Sequence, residues 1–335
     1  MNKVIINHSI LHIIDFNSDI CVFSQRELNP DNTSVKDFIE KHLSHVQSDS
    51  RGQPGVFFDK SWFFSSLKAY AKSEIDFIKF STVIANSIYE NMLTEEKANS
   101  LDLLVADFSQ DDDSFITLLL MNSRLAYTHQ VVKNDGVIQN EIIQHYAILP
   151  ATSQKVDSFA IINKRTAEIF FVDKRRYING KDVFILKEKV LQCLSNSSSK
   201  DVLKEVSGIV SKIAEANGIN SAVALSRAKN FIFENSELSD ILSTEELGKE
   251  VFADSDDLQH EYEELIHSAK LPKEIKLKKS LAVRTGKNHK IKTDTGIEIT
   301  FPAEYFENHD FIEFINNPDG TISIELKNIG KIINK

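Results

Sequence analysis

Six short apolar runs within residues 101–173 constrain the fold more than any other feature of this chain. They cover 101–108, 114–122, 124–130, 145–149, 158–163 and 167–173, and all are rich in β-branched or aromatic residues. Polar punctuation separates them, at Gln110-Asp111-Asp112-Asp113, Asn134-Asp135-Gly136 and Asn163-Lys164-Arg165. That spacing predicts strands joined by tight turns. Several runs, such as 116–121 and 169–172, are apolar without alternation, which predicts strands covered on both faces. The cover has to come from helices on either side.

Candidate helices are present. Asn32-Thr33-Ser34 offers N-caps for a helix through Val46, with Val35, Phe38, Ile39, Leu43 and Val46 on one face. A second helix is expected from near Ser73 or Asp76 to about Lys97. Segments 10–16 and 20–25 flank Asn17-Ser18-Asp19 as a hairpin would. Phe57, Phe58, Trp62, Phe63 and Phe64 crowd together; they read as a core anchor, with a base-stacking platform as the functional alternative. Beyond Asp173, residues 183–194 are apolar at helical spacing, and Ser195–Ser199 reads as a linker. Helices at 200–216 and 221–235 form a hairpin about Asn217-Gly218, and two more follow at 243–253 and 256–269. After Pro272 the alternation is strand-like at 276–278, 297–301 and 321–326. The expected class is α+β: a helix-flanked, mainly antiparallel sheet over 1–194, then over 195–335 a helical segment and a basic β-containing portion.

Apolar content of 41% and charged content of 26% suit a globular protein with a sizeable core. No apolar run reaches the roughly 18 residues that span a bilayer, and 1–14 reads as a first strand, not a signal peptide. The two cysteines, Cys21 and Cys193, lie far apart in apolar surroundings and read as reduced thiols. A cytoplasmic protein without membrane partners is expected.

The net charge of −10 is unevenly distributed. Residues 270–292 hold nine Lys/Arg against the single acid Glu274, a balance near +8, whereas 245–264 hold nine acids and only Lys249. In extended chain, Lys276 with Lys278 and Lys290 with Lys292 would each point to one face and could follow phosphates. No arginine-rich helix accompanies them, so contact would be to backbone, with little sequence preference. Two other readings stay open: the lysines solvate an edge strand, or they neutralise the acidic helices before them. The candidate DNA-contacting set is Lys273, Lys276, Lys278, Lys279, Arg284, Lys287, Lys290 and Lys292, with Lys174, Arg175 and Arg176 as a second group.

Catalytic patterns are sparse. The chain has no phosphate-binding G-x-x-x-x-G-K-[ST] loop, no G-x-G-x-x-G and no G-x-S-x-G. His8, His12, His42 and His45 lack acidic or cysteine partners at ligand spacing, so packing or surface roles are favoured. Asp111-Asp112-Asp113 reads as a solvated turn before it reads as a cation site. A metal nuclease needs acids and a lysine converging at one strand end. Only Glu168, Asp173 and Lys174 have that composition, and strand alternation sets Asp173 on the opposite face. No catalytic residue, metal or cofactor is expected. The alternatives are a divalent-metal nuclease, perhaps acting in defence against foreign DNA, and a protein adaptor docking through the acidic helices.

Short segments along nearly the whole length resemble the bacterial nucleoid-associated protein family of the NdpA (YejK) type. They are the opening strand Val4-Ile5-Ile6-Asn7-His8-Ser9-Ile10-Leu11-His12, then Asp76-Phe77-Ile78-Lys79-Phe80-Ser81 and Leu118-Leu119-Leu120-Met121-Asn122-Ser123. His145-Tyr146-Ala147-Ile148-Leu149, Asp157-Ser158-Phe159-Ala160-Ile161-Ile162-Asn163, Gly296-Ile297-Glu298-Ile299 and Pro318-Asp319-Gly320-Thr321-Ile322 continue it in order. The resemblance implies a non-enzymatic, double-stranded DNA-binding protein of the cytoplasmic nucleoid that contacts a type II topoisomerase. It transfers no catalytic motif. A homodimer is a further expectation.

Overall fold

The computed structural model describes residues 4–16, 20–93, 95, 100–134, 136–286, 288–302, 305, 310–318 and 321–331. The turn expected at 17–19, Lys97, the turn residues Asp135, Asp319 and Gly320, and Lys287 lie outside the described residues. The chain packs as two compact units, 1–197 and 198–335.

In the first unit the order is β1 (Val4–Asp15), β2 (Ile20–Val22), α1 (Thr33–Gln47), β3 (Gln53–Phe57), α2 (Trp62–Ala71), α3 (Phe77–Met92), β4 (Leu101–Gln110) and β5 (Asp113–Asn122). Then come β6 (Arg124–Asn134), β7 (Val137–Ile148), β8 (Ser158–Asn163), β9 (Ile169–Val172), β10 (Arg175–Ile178), β11 (Lys181–Phe184), a π-helix (Ile185–Leu191) and β12 (Cys193–Ser195). Eight strands form one sheet in the order β12-β3-β9-β8-β5-β4-β1-β2, with every neighbour antiparallel. Alternation along β4 explains its cover. Leu101, Leu103 and Val105 pack with α2, α3 and the π-helix, while Leu104, Ala106 and Phe108 pack with Ile39, Leu43 and Val46 of α1. Strands buried on both faces need no alternation of polarity, which is why the central runs are continuously apolar.

Caps set the helix starts. The Asn32 side chain accepts from the amides of Ser34 and Val35, and Asp76 accepts from that of Lys79. The second of these helices ends at Met92, short of the expected Lys97. Phe63 is fully buried, and Phe57 stacks on Phe64 with centroids 5.0 Å apart. Phe57, Trp62, Phe63 and Phe64 are therefore core packing around α2, while Phe58 is exposed. Residues 183–194 do not form the regular helix that their spacing predicts. A strand runs to Phe184, a π-helical turn follows, and Gln192 takes a left-handed conformation (φ 51°) to enter β12. The extra residue per turn of the π-helix carries Ile185, Leu186, Val190 and Leu191 together into the core.

The second unit starts with α4 (Ser199–Ala216) and α5 (Ser221–Leu238), the expected helical hairpin, followed by β13 (Ile241–Ser243), α6 (Thr244–Val251), α7 (Asp256–Ser268), β14 (Glu274–Lys276) and α8 (Lys279–Gly286). Two hairpins complete it: β15 (Asn288–Lys292) with β16 (Glu298–Pro302), and β17 (Ile312–Asn316) with β18 (Ile322–Leu326). Tyr262 is the largest fully buried side chain, and its hydroxyl donates to the Thr244 carbonyl at 2.9 Å. Gly248 makes room for that ring, since a Cβ there would lie 2.1 Å from it.

Candidate nucleic-acid interface

The basic window 270–292 is folded differently from the extended chain its charges suggest. Ile275 and Leu277 are buried and Lys276 is exposed, so the alternation at 274–277 holds, but β14 ends at Lys276 and a helix begins at Lys279. Leu281 and Ala282 anchor α8 in the core. Gly286 allows close approach to α5: a Cβ would meet the Phe233 Cβ at 2.6 Å and the Lys229 carbonyl oxygen at 2.8 Å. The strong helix formers Leu281, Ala282 and Arg284 were the available signal for α8; the lysine spacing masked it.

Four cations of the window meet a carboxylate. Lys273 binds Glu245 of α6 at 2.8 Å and Lys279 binds Glu237 of α5 at 2.9 Å. The hydrogen bond raises the Lys273 pKa above its ordinary value and holds Glu245 below its own. Lys290 and Lys292 share a face of β15, as expected, and one acid lies between them. Glu298, directly across the ladder from Lys292, accepts from Lys290 at 2.7 Å and sits 3.7 Å from Lys292. The two lysines, Lys290 first, hold its carboxyl below the usual range. Ile291 and Ile299 pack on the opposite side of this hairpin. Lys276 is exposed and forms no ion pair among the described residues. Lys278 is half-buried and Arg284 exposed, both with contacts of their own. All the pairs described are solvent-exposed, where an ion pair adds little to stability and can be exchanged for a phosphate.

The second group divides. Lys174 is exposed, 3.9 Å from Asp157, and Arg175 is exposed, 3.2 Å from Asp182. Arg176 differs: its side chain is 4% exposed and pairs with Glu95 at 3.1 Å. β10 alternates exposed and buried residues, so Arg176 points inward with Ile178. That burial sets it apart from the exposed Lys174 and Arg175.

The acidic helices also have local work. Glu245 and Glu246 lie in the first turn of α6, and Asp256 and Asp257 in that of α7, where carboxylates complement the helix dipole. The candidate nuclease acids are dispersed. Asp173 accepts from the Lys187 amide at 2.9 Å, and burial pushes its carboxyl up to about 7. Glu168 is exposed, while Lys174 lies beside Asp157. Asp111 occupies the β4–β5 turn at φ 55°, and Asp113 holds Arg165 at 2.6 Å. No group of three or more His, Cys, Asp or Glu that could hold a metal ion occurs among the described residues. His12 is buried. The Ser24 amide donates to its Nδ1 at 3.1 Å, so its Nε2 carries the proton facing Ser81 Oγ at 3.0 Å, and burial lowers its pKa to about 4. No helix among the described residues is long and apolar enough to cross a membrane.

The family model for the nucleoid-associated protein YejK matches residues 10–334, nearly the whole chain. The chain belongs to this family. No curated protein matches it. The exposed cations of the basic window belong to the second unit, whereas Arg176 is buried in the first.

Proposed function

We propose that this protein binds double-stranded DNA without chemistry, through backbone phosphates, using exposed cations of the C-terminal unit. The observation that carries the reading is the exposed face of β15, where Lys290 and Lys292 point the same way and share one carboxylate. Lys273, Lys276, Lys279 and Arg284 add cations from the same sequence window, and Lys174 and Arg175 form a separate exposed pair. Surface pairs of this kind are weak enough for a polyanion to displace the acid. The dispersal of Glu168, Asp173 and Lys174 supports a role without hydrolysis. A nucleoid location in the cytoplasm follows from the same reading. A type II topoisomerase is the proposed protein partner, with the acidic α6–α7 surface as the docking element.

The test is a gel shift on two unrelated duplexes at two salt concentrations, with a plasmid-nicking assay in Mg²⁺ alongside. Similar affinity for both duplexes, steep loss with salt and intact plasmid are expected. Salt-independent binding, or nicking that Glu168→Ala abolishes, would overturn the reading.

A further inference from the structure

The β6–β7 hairpin is built unlike the rest of the first unit. Its strands pair over nearly their whole length, from Ala126 opposite His145 to Asn134 opposite Val137, yet they form a separate two-stranded sheet. Among the described residues, neither strand contributes a side chain to any of the buried clusters. A two-stranded ribbon in water is marginal without a covered face. Residues directly opposite in an antiparallel ladder share a face, so Tyr127 with Gln144, His129 with Ile142, Val131 with Asn140, and Lys133 with Ile138 line one side. On that side Tyr127, Val131, Ile138 and Ile142 are 65%, 62%, 67% and 81% exposed. Isolated exposed apolar residues are ordinary, but a continuous stripe of them marks an interaction surface.

We propose that this face packs against the same face of a second copy of the chain, the two ribbons running antiparallel. Three observations choose that occupant. The face carries no acid in a chain with 49 Asp and Glu and a net charge of −10, and Glu141 lies on the opposite side. It is thus a patch through which two copies of like net charge can approach. A nucleic acid would require more cations than Lys133 alone supplies. Four of the face's eight side chains are apolar and more than three-fifths exposed, so the contact it offers is mainly non-polar, as homodimer interfaces are.

A two-fold axis set at the middle of the face, level with Gln130 and Glu141, would define the pairing. Tyr127 of one copy then lies over the partner's Lys133, an ammonium against an aromatic face, with Val131 and Ile142 near the centre. The inference is independent of DNA binding.

Sedimentation equilibrium of the full chain tests it. The wild type is expected at twice 38.0 kDa, and Ile142→Asp should raise the dimer dissociation constant by about thirtyfold or more, as central interface residues do. Ile142→Thr, which keeps strand propensity, should raise it less, and circular dichroism should show all variants folded. Val131→Cys treated with a short bis-maleimide should cross-link into dimers, whereas Gln139→Cys on the opposite face should not. A wild type that stays monomeric at about 100 μM, well above ordinary interface affinities, would overturn the proposal. So would a dimer unmoved by Ile142→Asp, equal cross-linking from both faces, or a loss of DNA affinity in that variant at unchanged mass.

Discussion

Some cations of the first unit meet their carboxylates in the interior, while those described in the second unit meet theirs in solvent. In the first unit Asp107 is 2% exposed and accepts from Lys164 at 2.6 Å, from the Tyr70 hydroxyl at 2.7 Å and from Asn7 at 3.1 Å. Arg176 and Glu95 are similarly enclosed. In the second unit Lys290, Lys292 and Glu298 meet in open solvent. The chemistry is the same and the dielectric is not. A buried charge deprived of its partner has no water to replace it, whereas an exposed one exchanges partners at little cost. The first arrangement fixes strands; the second leaves a surface that another anion can claim.

The largest effect should follow from breaking the buried side of this contrast. Asp107→Ala strands Lys164 and the Tyr70 hydroxyl, and should cost about 3–5 kcal/mol in urea unfolding. At a temperature where the variant is still folded, its DNA affinity should match the wild type; a loss of affinity without loss of stability would reverse the assignment of roles.

Next comes a pH effect confined to the first unit. The folded Asp173 carboxyl titrates near 7, above its unfolded value of 3.8. The folded state therefore holds an extra proton between those values, and stability is lost as pH rises through that window. His12, lowered to about 4, acts in the opposite sense between about 4 and 6.5 and partly conceals it. Asp173→Asn removes the falling component. The variant's unfolding free energy should gain on that of the wild type by roughly 2–4 kcal/mol between pH 4 and pH 8. Parallel pH profiles would show that the carboxyl does not titrate there.

Exposed Lys276, Lys290 and Lys292, together with half-buried Lys278, replaced by glutamine should weaken DNA binding about equally on unrelated sequences. The slope of log K against log salt should flatten by roughly 3–4, since each phosphate contact contributes about 0.9. An unchanged slope would move attention to Lys174 and Arg175. The smallest effect sharpens the same point. Glu298→Gln releases two lysines at once, so affinity should rise a few-fold at low salt while the melting temperature stays put. Weaker binding would mean that Glu298 positions the lysines instead of competing for them.

The sheet was readable from sequence because burial on both faces leaves a local signature. Residues 158–163 form a strand with the bounds their composition predicts, and Asn32 and Asp76 mark their helices by a side chain that caps. What escaped depended on partners distant in sequence. Nothing near Arg176 distinguishes it from Arg175; only the pairing of β10 with β11 turns one inward to Glu95. Glu298 gave no sign of sitting between two lysines until a ladder brought β16 beside β15. The π-helix at 185–191 has ordinary helical spacing, and its extra residue per turn answers to the core it fills.

The strand order of the large sheet has a consequence for how the chain is made. β3 lies between β9 and β12, so Phe57 has to wait for Cys193, and Gly55 for Ile169, before either finds its ladder partner. On a ribosome the apolar stretch around β3 and α2 therefore emerges long before the strands that flank it, and its closure is a slow, non-local event. The helical hairpin of α4 and α5 meets its partner across a short turn and can form as soon as it is released. A chain halted before Ser195 would leave β3 as an open edge, the kind of surface on which nascent chains associate with one another.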